Sequence, residues 1–348
     1  MLLSKKTYFA AKILNQLLLK MNINPLKAPE NETSIMEHWI YTDKVYISCI
    51  CITYNQENYI KNAIDGMLAQ ITDYRFEIII HDDKSTDSTR EIILEYKKKY
   101  PTLIKLILQD ENQYQKGKKI TPLATSQAQG EYIALCEGDD YWINKYKIQT
   151  QIELLERNKS INICISRALS LSSNDIIKKF CDLGENVRVV SFNKCILGPK
   201  KDFFPTASFF FRKKSMSYLP KWFYTDAPVG DYYMQLYFSF PNGCLYTPNN
   251  MVIYRRNTPN SWSERTNELK YLADLNKRKF LINNLKLDFG SNLYLDIKKV
   301  IYIKSMLSIS IRNKKILLTS KLLWEILKLT PAIIKYNTLK MKKNENDD

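Results

Sequence analysis

The sequence predicts an α/β fold with a mixed, mainly parallel sheet flanked by helices, followed by a helical C-terminal region. Three observations predict it. Strand-length apolar runs alternate with helix-period runs from Val45 to Ile165. Polar, acidic segments follow three of those runs directly. From about Ser263 the pattern becomes helical and basic.

Before Val45 the chain reads as a weakly structured extension, residues 1–44. Leu2–Met21 suits one basic helix, and Asn22–Asn31, with Pro25 and Pro29, breaks it. Val45–Thr53 is then a buried strand. Asn58–Gln70 carries helical spacing through Tyr59, Ile60, Ala63, Ile64, Met67 and Leu68. Phe76–Ile80 is a strand, Ser85–Tyr100 a helix stopped by Pro101, and Ile104–Leu108 a strand. Ile120–Gln129 is a helix stopped by Gly130, and Tyr132–Cys136 a strand. Lys145–Arg157 is a helix and Ile161–Ile165 a strand. After Asp182 the alternation loosens, with short strands at Ala207–Arg212 and Met251–Arg255 and a helix near Asp231–Phe240. We therefore expect a domain over 45–263, in halves 45–157 and 158–263, and a basic helical region over 264–348.

Composition narrows the function classes. With 45% hydrophobic residues, 9 Gly and 12 Pro in 348 residues, disordered and collagen-like chains are excluded. No apolar run approaches the ~18 residues of a membrane span, and the start does not read as a secretory signal. Seven cysteines without CxxC, and only two histidines, argue against structural zinc. Cys49 and Cys51 fall on one strand face, as buried thiols do, and a reduced cytoplasmic protein is expected. The net charge of +16 suits nucleic acid, an anionic membrane or phosphate-bearing substrates, and equally a Lys-, Ile-, Asn- and Tyr-rich coding bias.

In open α/β sheets, ligands sit beyond the carboxyl ends of the strands. Here those ends read Thr53-Tyr54-Asn55-Gln56-Glu57, His81-Asp82-Asp83-Lys84-Ser85-Thr86-Asp87 and Glu137-Gly138-Asp139-Asp140-Tyr141-Trp142. Two acidic clusters on one edge repel unless a cation joins them, and Mg²⁺ or Mn²⁺ takes carboxylate and phosphate oxygens. Taken singly, Asp83, Ser85 and Asp87 also suit the cap of the next helix, and Glu137–Asp140 an acidic turn. His81 reads as structural.

Together these three motifs resemble the family 2 nucleotide-sugar glycosyltransferases of the GT-A fold, of the bacterial surface-glycan type. The matching residues are Ile47–Glu57, Ile80–Thr89 and Gly130–Trp142. The resemblance is strong over Tyr46–Arg157 and fainter to Ser263. It implies that Thr53, Tyr54 and Glu57 line the nucleotide, and that Asp82 and Asp83 form the acidic pair that reaches the base. It implies that Glu137-Gly138-Asp139 is a D-x-D metal motif with Glu in the first place, Glu137 facing the nucleotide sugar and Asp139 and Asp140 the Mn²⁺ or Mg²⁺. Val229-Gly230-Asp231-Tyr232-Tyr233 resembles the segment with the acceptor-activating Asp, although Asp231 alone also suits a helix cap. Inverting transfer needs such a carboxylate to take the acceptor proton. In Tyr254-Arg255-Arg256-Asn257 and Ser261-Trp262-Ser263, Arg255 suits the diphosphate, and Asn257 stands where relatives often carry a metal-binding His. Pro205-Thr206-Ala207-Ser208 suits the acceptor side, and Phe209–Phe211 the core.

The expected activity is metal-dependent, inverting transfer of one sugar from a nucleotide-diphosphate sugar, UDP-linked first of all, to a glycan or lipid-linked acceptor. The absence of Gln-x-x-Arg-Trp and of membrane spans argues against a processive synthase. A nucleotidyltransferase is the alternative of similar fold, but its glycine-rich phosphate loop has no counterpart in Thr53–Glu57. A nucleic-acid binder would account for the charge, but no recognised nucleic-acid motif is present, so nucleic acid is not an expected partner. Ile297–Leu329 mixes apolar and basic residues, which suits peripheral contact with an anionic membrane or packing on the catalytic core.

Overall fold

Ile47–Thr53 (β1) is apolar on both faces because it is covered on both. Ile50 points into one core, while Cys49 and Cys51 point into the other. The computed structural model describes residues 23–174, 176–198, 204–259 and 267–344. The expected helix Leu2–Met21 and the segment Ser261-Trp262-Ser263 lie outside them.

β1 pairs in parallel with Phe76–Asp82 (β2) and Tyr132–Glu137 (β4), and β2 pairs in parallel with Ile104–Leu108 (β3). Beyond β4 the sheet continues through Phe210–Arg212 (β9), Ile163–Ser172 (β6), Cys244–Arg256 (β10) and Tyr141–Trp142 (β5), giving the order β3-β2-β1-β4-β9-β6-β10-β5. β9 runs against both its neighbours, whereas β6 and β10 are parallel. Ile177–Phe180 (β7) and Arg188–Val190 (β8) add on to β6 and β10.

Helices cover both faces. Ile60–Leu68 (α1), Thr89–Lys99 (α2) and Lys147–Arg157 (α4) pack against Cys49, Cys51, Ile78 and Ile80. Ile120–Thr125 (α3), Phe192–Leu197 (α5), Lys221–Thr225 (α6) and Asp231–Ser239 (α7) pack on the other face against Ile50, Ile133 and Leu135. The C-terminal helices are Glu268–Phe289 (α8), Leu293–Arg312 (α9), Ile316–Lys328 (α10) and Thr330–Asn344 (α11).

The differences from the sequence reading have local causes. The segment before β1 is packed, not loose: Ile35 is buried, Trp39 stands edge-on to Phe76, and Tyr41 bridges Tyr74. α3 stops at Thr125, because the chain must turn to bring Gly130 against β1. There the Gly130 N–H donates to Ser48 Oγ at 2.9 Å, and a Cβ would stand 2.6 Å from Ser48 N. β6 runs on past Ile165 through the polar pair Ser166-Arg167. Arg167 is tolerated there because Asp182 and Glu185 meet its guanidinium at 2.8 Å. Residues Thr206–Ser208 form a 3₁₀ turn, and only Phe210–Arg212 is strand. All seven cysteines are free and buried.

Ile297–Leu329 is not one surface element. In α9, Leu295, Tyr302, Ile303, Met306 and Ile309 are buried in the same core as β4 and α7. Lys298 donates to the Leu197 carbonyl at 3.0 Å, tying α9 to α5. α9 therefore packs into the main body, whereas α10 leaves Ile316, Leu317, Leu323, Trp324 and Leu327 outside on one face.

Candidate active site

Parallel pairing brings three strand ends to one level. Thr53 is opposite Asp82, and Ile52 is opposite Glu137. Two backbone bonds lock the turns that follow: Asp83 N to Thr53 O and Gly138 N to Ile52 O, both 3.0 Å. The edge that the motifs marked is thus one continuous rim.

On the β1–β2 side, most predicted donors are already engaged. The buried Asp82 carboxylate accepts from Arg90 Nε at 2.8 Å and pairs with its NH2 at 2.6 Å. Asp83 accepts the N–H groups of Gln113 at 2.7 Å and Tyr114 at 3.0 Å. Glu57 is exposed, and its carboxylate takes Ser88 N–H at 2.9 Å at the start of α2. Thr53 Oγ1 donates to Gln56 Oε1 at 2.7 Å, and Tyr54 is half-buried beside it. The left-handed Asn55, φ 52°, links the turn to Ser85 and Thr86.

The acidic turn after β4 is held from β10. Arg255 N–H donates to Asp140 Oδ1 at 2.8 Å, and its guanidinium to the Asp139 carbonyl at 2.7 Å. That guanidinium lies over the rings of Tyr141, 4.3 Å away, and Tyr59, 5.0 Å away. Thr258 Oγ1 donates to Asp139 Oδ2 at 2.9 Å. Asn257 itself is exposed in a left-handed turn, φ 57°, which delivers the next residue, Thr258, to the site. Gly138 is needed for close approach, since a Cβ would stand 2.3 Å from Gln56 Oε1 and 2.7 Å from Thr53 Oγ1.

Crowding shows in the acidities. Burial, then Asp139 and Asp231, lift Glu137 to about 8, against a hydrogen bond from Thr206. Burial lifts Asp139 too, opposed by the Thr258 bond and Arg255. Asp140 is raised well above the usual range by burial and by both neighbours. Asp231, at the start of α7, is raised by burial and pulled down by Arg278 of α8. Glu137 thus feels the charge of Asp231, although the two lie far apart in sequence.

Within this acidic turn, two buried carboxylate oxygens have no hydrogen-bond partner, Glu137 Oε2 and Asp140 Oδ2. Unpaired acceptors in a repelling cluster suit a cation. Among the described residues, no three His, Cys, Asp or Glu side chains form a complete cage. That is compatible with Mg²⁺-type binding, in which one or two carboxylates share the ion with water and substrate phosphates. A cleft of about 710 Å³ lies elsewhere, at the start of β4 and the end of β9, lined by Glu131, Tyr132 and Arg212, away from this chemistry.

Residues 48–218 match the family described as Glycosyl transferase family 2. The chain carries a family 2 glycosyltransferase domain. The chain is 32% identical over 235 residues to Rv1520 of Mycobacterium tuberculosis, covering 62% of this chain and 60% of that one. It is 32% identical over 139 residues to WfgD of Escherichia coli, a UDP-Glc:alpha-D-GlcNAc-diphosphoundecaprenol beta-1,3-glucosyltransferase, covering 40% of this chain and 51% of WfgD. The chain thus spans about 60% of the length of the first curated relatives it matches. Its fold is the GT-A fold: TarS 1–349 of S. aureus, solved with UDP-GlcNAc, superposes with a TM-score of 0.57 at 17% identity, over 76% of this chain and 73% of that one.

Four residues around this rim escaped the sequence reading: Arg90, Thr258, Arg278 and, as a partner of Glu137, Thr206. Arg90 alone left a signal, a basic residue one turn into the helix after the acidic pair.

Proposed function

We propose that the chain is a metal-dependent, inverting glycosyltransferase that moves one sugar from a UDP-sugar to a glycan or lipid-linked acceptor in surface polysaccharide synthesis, on the cytoplasmic side of the membrane. The observation that carries this reading is the crowding of the buried Glu137, Asp139 and Asp140 at the rim where β1, β2 and β4 end, within electrostatic reach of Asp231. The relatives' names support the donor and acceptor classes.

In this reading Asp83 offers its remaining lone pairs to the base, while Asp82, committed to Arg90, positions the loop. Thr53, Tyr54 and Glu57 frame the nucleotide. Asp139 is the principal metal contact, Asp140 and Asn257 lie next to it, and Thr258 fixes the Asp139 rotamer. The cation, when bound, supplies positive charge for the diphosphate. Arg255, stacked between two tyrosines, presents its charge to the same leaving group. Asp231 takes the acceptor hydroxyl proton as that oxygen attacks the anomeric carbon and the bond to the diphosphate breaks.

A screen of UDP-sugars for Mn²⁺- or Mg²⁺-dependent binding and hydrolysis tests the proposal. One positive donor is expected. If no nucleotide sugar binds in either metal, the reading fails.

A further inference from the structure

α10 has two apolar faces and a cover for only one. On the inner side, Leu322 is buried, with Leu318, Ile326 and Leu329 packed around it against the core. At helical spacing on the outer side stand Ile316, Leu317, Leu323, Trp324 and Leu327, of which Ile316 and Leu317 are more than four-fifths exposed and Trp324 is 58% exposed. A helix that is apolar all round is normally buried all round, and a continuous exposed patch of this kind marks an interaction surface.

The charge around the patch selects the partner. Residues 313–344 carry eight lysines and one acid, Glu325. Glu325 is turned inward, paired with Lys279 of α8 at 2.9 Å. Lys321 and Lys328 border the outer face, and Lys328 lies over the Trp324 ring at 5.4 Å. A two-fold pairing of α10 with a second copy would set these lysines against each other, because the same patch must serve both partners. An anionic lipid surface would neutralise them, and a tryptophan with a basic border suits the headgroup boundary. Among the described residues no helix is long and apolar enough to cross a membrane, so the contact would lie along the surface.

We propose that the outer face of α10 is the membrane-docking surface: Ile316, Leu317, Leu323, Trp324 and Leu327 enter the headgroup boundary of an anionic bilayer, with Lys321 and Lys328 on its phosphates. The proposal deepens the functional reading and rests on its lipid-linked acceptor. Most of the apolar residues of α9 are buried in the core, so α9 is not the centre of this surface.

Flotation of the full chain tests this, using vesicles of equal parts phosphatidylcholine and phosphatidylglycerol beside pure phosphatidylcholine. The wild type is expected to float with the anionic vesicles at low salt, less at high salt, and to ignore the neutral ones. Trp324→Glu/Leu327→Glu, with unchanged circular dichroism and melting, should lose at least tenfold in vesicle affinity. Lys321→Glu/Lys328→Glu, which leaves the apolar face whole, should lose affinity for anionic vesicles as well. Wild-type binding by both double variants overturns the assignment. So does a chain that ignores anionic vesicles, including one that sediments as a dimer and becomes monomeric on Trp324→Glu/Leu327→Glu, since a second copy would then cover the face. Flotation needs no turnover, and Asp139→Ala should float like the wild type. A chain that floats but binds no UDP-sugar would sink the functional reading alone, and a chain that turns over but does not float would sink only this one.

Discussion

Thr258 Oγ1 donates to Asp139 Oδ2 at 2.9 Å, joining the last turn after β10 to the acidic turn after β4. This bond holds down the pKa of a carboxylate that burial otherwise raises. The expected consequence is graded. Asp139→Ala should abolish metal-dependent turnover with the fold intact. Thr258→Val should keep turnover but need more metal. A hydrogen bond to a charged group contributes roughly 1.5–3 kcal/mol, so a shift of about ten- to a hundredfold in the Mn²⁺ requirement is expected. Metal titrations of donor hydrolysis measure both, and wild-type behaviour of Asp139→Ala in Mn²⁺ and Mg²⁺ would remove the metal assignment.

Asp231→Asn keeps the shape of the side chain but cannot take a proton. Loss of a general base costs ~10²–10⁴-fold in rate. Donor affinity should survive, because the residue serves the acceptor. Near-normal kcat would take Asp231 out of the mechanism, and lost donor affinity would move it to the donor side.

The pH profile follows from Asp231's surroundings. Its folded pKa is raised, chiefly by burial, and a base works only when deprotonated. Activity should therefore fall as pH drops through a value above the ordinary ~3.9 of aspartate. Arg278 opposes the rise, while Asp274 adds to it. Lys119 also faces the group. Arg278→Met should move the acid limb of kcat to higher pH, and Arg278→Lys should restore part of the shift. A loss of rate with an unmoved limb would mean that Arg278 only supports packing.

Gly138→Ala places a Cβ against Gln56 and Thr53. Overpacking of this kind costs about 1–3 kcal/mol. Because the clash lies between the β1 turn and the acidic turn, donor affinity should fall along with the melting temperature. Calorimetric titration with UDP beside thermal melts checks this. Unchanged affinity would show that the two turns move independently.

The first half of the fold was legible because β1, β2 and β4 are buried on both faces and their helices are amphipathic. Each signal there is local. Acidic residues directly after apolar strands marked the rim for the same reason. What stayed hidden depends on distant partners. β6 looked finished at Ile165 because the acids that neutralise Arg167 come after β7. Thr258 was hidden by the left-handed turn at Asn257, which decides the residue that faces inward. The region from Ile297 onward offered two readings, and the structure divides them between α9, which is buried, and α10, which keeps an uncovered face.

The reversed strand β9 also makes the enzyme divisible. Running against β4 and β6, it presents its leading end, not its trailing end, to the rim, and so sets Thr206 beside Glu137. The parallel strands β1, β2 and β4 deliver one half of the site before residue 143, and the rest arrives through the connections around β9 and α7 and from the end of β10, with Arg255 and Thr258. Those connections can be exchanged between relatives without re-registering the parallel strands. A chimera joined within β9 would therefore combine the acidic turn of one parent with the Arg255 and Thr258 contacts of the other.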